Sequence, residues 1–324
     1  MRPVRLALAS ALLGVLGLAA CGQAPDAART APSSPAVSTD SSPAVSTDSS
    51  GAFPVTVEAA NGRVTIERRP ERIVSLSPTA TETLFAIGAG PQVVAVDERS
   101  NHPPEAPKTS LSGFKPNVEA IVGHRPDLVV VADDIDGVAS KLAKLNVPVL
   151  VEPSATDFDD AYDQITDLGA ATGNADRARR LVDDMKRELD RLAAEAPRDK
   201  RLTYYHELDV TPYSVTSKTF IGRVYGLFGL TNIADEAPDA AGGFPKLSAE
   251  FVAKADPDLI FLATTKCCGQ NRDTLAKRPG WSGLSAIKND RVIGLDDDIA
   301  SRWGPRVVDF ARTVGEAVRK ASEE

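Results

Sequence analysis

Three cysteines, three histidines and 5% aromatic residues in 324 mark what this sequence has little of. So few cysteines cannot frame a disulfide-built fold. His102, His124 and His206 are scattered, with no His-x-x-x-His, Cys-x-x-Cys or His-rich loop, which argues against a zinc carrier and against transport of bare metal ions. No stretch beyond residue 20 supplies the roughly 18 apolar residues that cross a bilayer. Positive charge is also short: 37 Lys and Arg stand against 45 Asp and Glu, a net charge of -8. The first 20 residues carry Arg2 and Arg5 and no acid, so without them the count is 35 against 45, or -10. An acidic surface does not attract phosphate backbones, so a nucleic-acid partner is not expected. Hydrolase and dinucleotide signatures are missing too. Gly280-Trp-Ser-Gly-Leu284 fails the Gly-x-Ser-x-Gly elbow at Leu284, and Gly88-Ala-Gly90 before Pro91 is a helix stop. An extracytoplasmic hydrolase is thus the distant alternative. What remains, 42% hydrophobic and 25% charged, suits a soluble protein large enough for two core-forming lobes.

The amino terminus reads as an address. Arg2 and Arg5 precede an apolar segment from Leu6 to Leu18, so residues 1–20 are expected to be a signal peptide. Leu18-Ala19-Ala20-Cys21 resembles the lipobox of bacterial lipoproteins, which implies cleavage before Cys21 and acylation of that residue. An ordinary signal peptide with a chance cysteine is the alternative. Several acyl chains on one residue anchor a protein stably, where a single chain is marginal. Residues 21–52 then form the lipidated start and a linker in which Ser-Ser-Pro-Ala-Val-Ser-Thr-Asp occurs at 33–40 and again at 41–48. Such polar, Pro-rich chain cannot bury enough apolar surface to fold. The expected location is extracytoplasmic, tethered at Cys21 to the outer face of the cytoplasmic membrane.

From residue 53 the pattern is ordered. Asn61-Gly62 between alternating residues predicts a hairpin. Strands are expected at 72–76, 93–96, 128–131 and 147–151, with helices opening at Ser77-Pro78-Thr79, at Asn117 and at Val138. Thr79-x-x-Glu82 has the spacing of a capping box. Residues 174–196 predict one long helix, capped by Asn174 and stopped by Pro197, with Leu181, Met185, Leu189 and Leu192 on one stripe. At 1.5 Å per residue it reaches about 35 Å, enough to cross a domain. The alternation then restarts, with strands at 202–206, 259–263 and 292–295 and helices at 220–228 and from Pro305. The expected division is an N-terminal lobe over 53–173, a connecting helix over 174–197 and a C-terminal lobe over 198–324, each lobe α/β around a parallel sheet.

The halves echo each other. Asn117-Val-Glu-Ala-Ile-Val-Gly-His-Arg-Pro-Asp-Leu-Val-Val130 aligns with Ser248-Ala-Glu-Phe-Val-Ala-Lys-Ala-Asp-Pro-Asp-Leu-Ile-Phe261, with identity at Glu119/Glu250, Pro126/Pro257, Asp127/Asp258 and Leu128/Leu259. Each copy reads as a capping residue, a short amphipathic helix, a proline break and a buried strand. Two similar lobes joined by one stiff helix leave a cleft, and clefts between lobes are where ligands sit.

Arg72-Ile-Val-Ser-Leu-Ser-Pro-x-x-Thr-Glu-x-Leu-Phe-Ala-Ile-Gly-Ala-Gly90, Asn101-His-Pro-Pro104, both copies of the repeat and Trp303-Gly-Pro-Arg306 together resemble the solute-binding proteins of ABC importers for vitamin B12 and iron–siderophore complexes. The resemblance covers about residues 70–320 and implies two Rossmann-like lobes, one rigid connecting helix and an interlobar ligand. It implies docking of Glu119 and Glu250 on an ABC permease dimer with its ATPase. On the residues alone, each Glu could simply complement its helix dipole. The resemblance also implies a cargo rather than a reaction: a chelated-metal ligand, cobalamin or another corrinoid favoured and a ferric siderophore or haem-type complex the alternative. The cobalt or iron belongs to the ligand, no cofactor is required, no enzyme activity is expected, and the protein is expected to be a monomer.

Candidate ligand contacts follow. Phe114 and Phe244 precede the two docking helices at the places where B12 binders flank the corrin ring; each could equally be a core residue. Asp298 matches an acidic cleft position of the B12 binders and Arg302 a basic one of the siderophore binders. Asp133, Asp134, His206, Glu207, Tyr213, Thr219 and Trp303 complete the set. Asp133, Asp134, Glu207 and Asp296 to Asp298 are expected to make the rim negative and to disfavour a polyanion. Cys267-Cys268 follows a strand and is expected at the cleft, as a vicinal disulfide, as two thiols or as a contact to ligand metal.

Overall fold

Asn61 and Gly62 turn β1 (Val55–Ala59) into β2 (Gly62–Ile66), and Gly62 takes the positive φ of +96° that this turn requires. The Asn61 carboxamide donates to the Val149 carbonyl at 3.0 Å and accepts from the Val151 amide at 3.1 Å. The hairpin is thereby pinned to its neighbouring sheet edge. The computed structural model describes residues 53–323 apart from Asp239, so the signal peptide, Cys21 and the linker lie outside the described residues.

The first sheet contains β3 (Ile73–Leu76), β4 (Val93–Val96), β5 (Leu128–Val131) and β6 (Val149–Val151), all parallel, in the order β4-β3-β5-β6. Around it lie α1 (Pro78–Ala86), α2 (Val118–Gly123), α3 (Val138–Ala143), α4 (Phe158–Thr172) and the long α5 (Ala175–Glu195). The second half runs β7 (Thr203–Glu207), α6 (Phe220–Gly226), β8 (Thr231–Asn232), α7 (Ala249–Ala255), β9 (Leu259–Leu262), α8 (Thr265–Cys268), α9 (Arg272–Ala276), α10 (Ser285–Lys288), β10 (Val292–Gly294), α11 (Asp297–Ala300) and α12 (Val307–Glu323). Its parallel sheet is ordered β10-β9-β7-β8. In both sheets the second strand lies on one side of the first, and the third and fourth lie on the other. The repeat seen in sequence is therefore a repeat of topology.

The repeated residues have matching work. Asn117 and Ser248 cap α2 and α7, accepting from the amides of Ala120 at 2.9 Å and Phe251 at 3.0 Å. Ile121 and Val252 bury fully beneath. Arg125 and Asp256, just before the prolines, both take left-handed φ, 50° and 45°. Asp127 then accepts from the amides of Glu71 and Arg72, and Asp258 accepts from the amide and hydroxyl of Thr203. Each aspartate thus staples the third strand of its sheet to the entry of the first.

Three local expectations need correction. Ser77, not Thr79, caps α1, accepting from the Ala80 amide at 3.3 Å, and Glu82 points inward instead of closing a capping box. Asn174 stands before α5 but spends its carboxamide on Gln92 and Thr172. The connecting helix is not a lone rod, because α4, unforeseen in the sequence, packs along it, as does α12. A Cβ on Gly169 of α4 would come within 2.3 Å of the Ala178 Cβ of α5, so glycine is what permits this approach. One apolar core runs unbroken from the first sheet (Ile73, Leu128) through α4, α5 and α12 (Ile165, Met185, Val314) to the second (Tyr204, Phe261). The far face of each sheet has its own smaller cluster.

Candidate functional site

Parallel strands open their ligand crevices at their carboxyl ends. There, two cavities of about 480 and 340 Å³ adjoin, sharing Ser154, Ser301 and Trp303. The larger lies between the 154–156 loop after β6 and Lys218, Thr219, Phe220 and Phe244 of the second half. The smaller is formed by Leu76, Asp97 and Asp133 at the ends of β3, β4 and β5, together with Phe114, Asp298 and Arg302. Both halves of the chain therefore wall one continuous cleft.

Two of its aromatic side chains are exposed rather than packed. Phe114 is 67% and Phe244 52% accessible, values that a core residue would not have. Trp303 stands where the cavities meet, its indole N–H donating to Gln164 at 2.8 Å.

The polar wall is built on an ion cluster that the sequence reading missed. Glu82 of α1 is almost fully buried and receives Arg302 at 2.6 Å and both Nε and Nη2 of Arg306 at 2.8 and 2.6 Å. Arg302 also donates to Asn101, the Arg99 carbonyl and Asp298 at 2.9–3.0 Å. Asn101 in turn donates to Asp298 at 3.0 Å. Burial alone would raise the Asp298 carboxyl, but the bond from Asn101 and the charges of Arg302 and Lys266 hold it below its ordinary value. Glu82, Asn101 and Arg306 all fall within the motifs that carry the family resemblance; nothing local in the sequence pairs them.

The structure brings Phe114, Asp133, Thr219, Phe244, Asp298, Arg302 and Trp303 to the cleft. It does not bring His206, Glu207, Tyr213, Cys267 or Cys268 to line either cavity, and those expectations are corrected. His206 and Glu207 sit fully buried in β7, a strand covered on both faces. Burial lowers the His206 imidazole to about 3, and its Nδ1 meets the Tyr225 hydroxyl at 2.8 Å. Glu207 is held by Arg278 and by the Thr264 hydroxyl. Tyr213 is exposed outside the cavities, with Lys246 5.8 Å from its ring centre. Cys267 and Cys268 form a vicinal disulfide on exposed α8. Glu119 and Glu250 are exposed in the first turns of α2 and α7.

The negative rim also changes. Glu207 is buried, Asp134 caps toward Ala139, and Asp296 pairs with Lys266 at 2.7 Å. The charged groups lining the cavities are Asp97, Asp133 and Asp298 against Arg99, Lys218 and Arg302, a balanced set. Among the described residues no three His, Cys, Asp or Glu side chains converge closely enough to hold a metal ion.

Residues 73–299 match the family described as periplasmic binding protein. The chain belongs to that family. This periplasmic binding protein is 32% identical over 310 residues to the cobalamin-binding protein of Halobacterium salinarum strain R1, covering 92% of this chain and 81% of the relative. It is 30% identical over 277 residues to the ABC transporter substrate-binding lipoprotein YvrC of Bacillus subtilis strain 168, covering 82% and 86%. Among solved structures it is similar to the periplasmic vitamin B12 binding protein BtuF of Vibrio cholerae, with a TM-score of 0.66, 26% identity and coverage of 78% and 98%. The resemblance read from the motifs and the α/β fold expected from it agree with these findings.

Proposed function

We propose that this protein is the solute-binding component of an ABC importer and that its cargo is a corrinoid. The observation that carries the reading is the cleft itself: it is walled by both halves, offers exposed Phe114 and Phe244 on the two sides of Trp303, and has balanced charge. Aromatic faces suit the apolar edge of a large flat ligand, and a balanced wall suits a near-neutral one. Arg302 disfavours a siderophore carboxylate, because Glu82, Asn101, Arg99 and Asp298 already take its donors. The names of the Halobacterium and Vibrio relatives support the corrinoid choice. Glu119 and Glu250, on matched helices, are the docking points for a two-fold permease dimer driven by its ATPase. The protein captures and delivers without chemistry, acts as a monomer and is lipid-anchored at Cys21; the lipoprotein name of the Bacillus relative supports the anchor.

Isothermal titration calorimetry against cyanocobalamin, haem and a panel of ferric siderophores tests the cargo. Saturable binding of cyanocobalamin, weakened at least about tenfold by Phe114→Ala or Phe244→Ala, is expected, the cost of losing one buried aromatic contact. Binding of a siderophore or haem alone overturns the corrinoid reading.

A further inference from the structure

The vicinal disulfide Cys267–Cys268 has no part in the cleft lining, yet it is tied to it. Helix α8 has four residues, none of them buried, so little packing holds it in place. What holds it is polar: the amides of Thr265, Lys266 and Cys267 all donate to the Asp297 carboxylate at 3.0–3.1 Å. Lys266 pairs with Asp296 at 2.7 Å and Asp298 at 3.2 Å. Asp298, next in sequence to Asp297, lines the cleft and bonds both Arg302 and Asn101. A ring closed across the Cys267–Cys268 peptide restricts the same backbone whose amides grip Asp297. Both cysteines are exposed, so an attacking thiolate can reach their sulfurs.

We propose that Cys267–Cys268 is a thiol–disulfide exchange site that controls how firmly α8 holds the Asp298 wall, and that its reduction weakens ligand retention. The partner is a dithiol reductant. One of its thiolates attacks a sulfur of the pair to give a mixed disulfide, and its second thiol then displaces the protein. Two electrons and two protons pass to Cys267 and Cys268, and the reductant leaves as its own disulfide. By linkage, a bound ligand opposes reduction by the same factor by which reduction weakens its binding. This last consequence rests on the cleft being the ligand site; the loosening of α8 does not.

The full-length chain is equilibrated with dithiothreitol or with its oxidised form. Alkylation at Cys267 and Cys268 is mapped by mass spectrometry, amide exchange is followed over 264–270 and 296–302, and affinity is measured with cyanocobalamin. Expected are alkylation without denaturant, faster exchange in both segments on reduction, and an affinity loss of at least about fivefold. The double variant Cys267→Ser, Cys268→Ser should match the reduced protein and ignore dithiothreitol; the reduced wild type gives the same comparison without relying on the variant. Thiols that react only after denaturation, or identical exchange in both redox states, overturn the proposal. If cyanocobalamin binds neither state, the corrinoid reading fails, and the exchange data still decide this one.

Discussion

Two carboxylates of the first half show how much a single buried residue can govern. Glu82 lies between Arg302 and Arg306, some 220 residues away in sequence. Glu82→Ala would take the shared carboxylate from Arg306 and from Arg302, 8% exposed and then paired with Asp298 alone, and breaking a buried pair this way costs about 3–5 kcal/mol. Urea unfolding should show that loss as a lower midpoint with an unchanged slope. Glu152 is the opposite case: it is 4% exposed and its Oε1 has no hydrogen-bond partner among the described residues. Burial, and then the neighbouring Asp167, pushes its carboxyl from 4.5 to about 8. The folded state therefore keeps a proton that the unfolded chain releases near 4.5. Stability from this group is complete below that value and is lost as pH rises through about 8. Asp167, raised to about 6 by burial, Asp163 and Glu58, adds a slope of the same sign at lower pH. Glu152→Gln should be near neutral at about pH 5 and should raise the Tm above about pH 8, flattening the upper part of the profile. A Tm against pH curve parallel to wild type would contradict this.

At the scale of elements, α2 and α7 show what sequence carries well. Cap, apolar positions at i, i+3 and i+4, proline break and strand are all local signals, and both copies folded as read. Helix α4 also has its signals: Asp157 caps it, accepting from Asp160 at 3.0 Å, and Gly173 ends it at φ +71°. Its last turn, Gly169-Ala-Ala-Thr172, is made of small residues, with Gly169 at the close approach to Ala178 of α5, so the apolar stripe fades there. His206 and Glu207 were misplaced for a different reason. Strand β7 is covered on both faces, and a polar pair at its end reads alike whether it opens to solvent or meets Tyr225 and Arg278 inside. The cleft aromatics Phe114 and Phe244 were legible only through the family resemblance, which expects aromatics just ahead of α2 and α7. Those helices carry the element-scale prediction. Glu119→Arg or Glu250→Arg changes an exposed side chain and touches neither cavity, so cyanocobalamin affinity should stay within error and stability should fall by no more than about 1 kcal/mol, the helix-dipole contribution lost in the first turn. On the proposed docking, uptake by cells dependent on this protein should fall by at least about tenfold, the effect of about 1.4 kcal/mol lost when a reversed charge meets groups that receive a carboxylate. Unchanged uptake in both variants would remove these residues from the interface.

For the whole molecule, the question is how far the halves can move. A hinged binding protein closes by bending at a few linker residues while each lobe keeps its own core. Here the core is shared: residues of both sheets meet through α4, α5 and α12, and Arg312 of α12 bonds Glu188 of α5 at 3.1 Å. Polar ties also cross between the halves at the cleft: Glu82 to Arg302 and Arg306, Arg302 to Asn101 and the Arg99 carbonyl, Asn101 to Asp298, and Gln164 to Trp303. A wide opening would expose part of that apolar core and strand the Glu82 charges, both costly steps that ligand binding would have to repay. Binding is therefore expected to fix side chains and loops within a nearly preformed cleft. Small-angle scattering profiles with and without saturating cyanocobalamin should superimpose, with radii of gyration equal within error. A clear contraction on binding would mean that the shared helical layer yields, and that the polar ties across the cleft form only around the ligand.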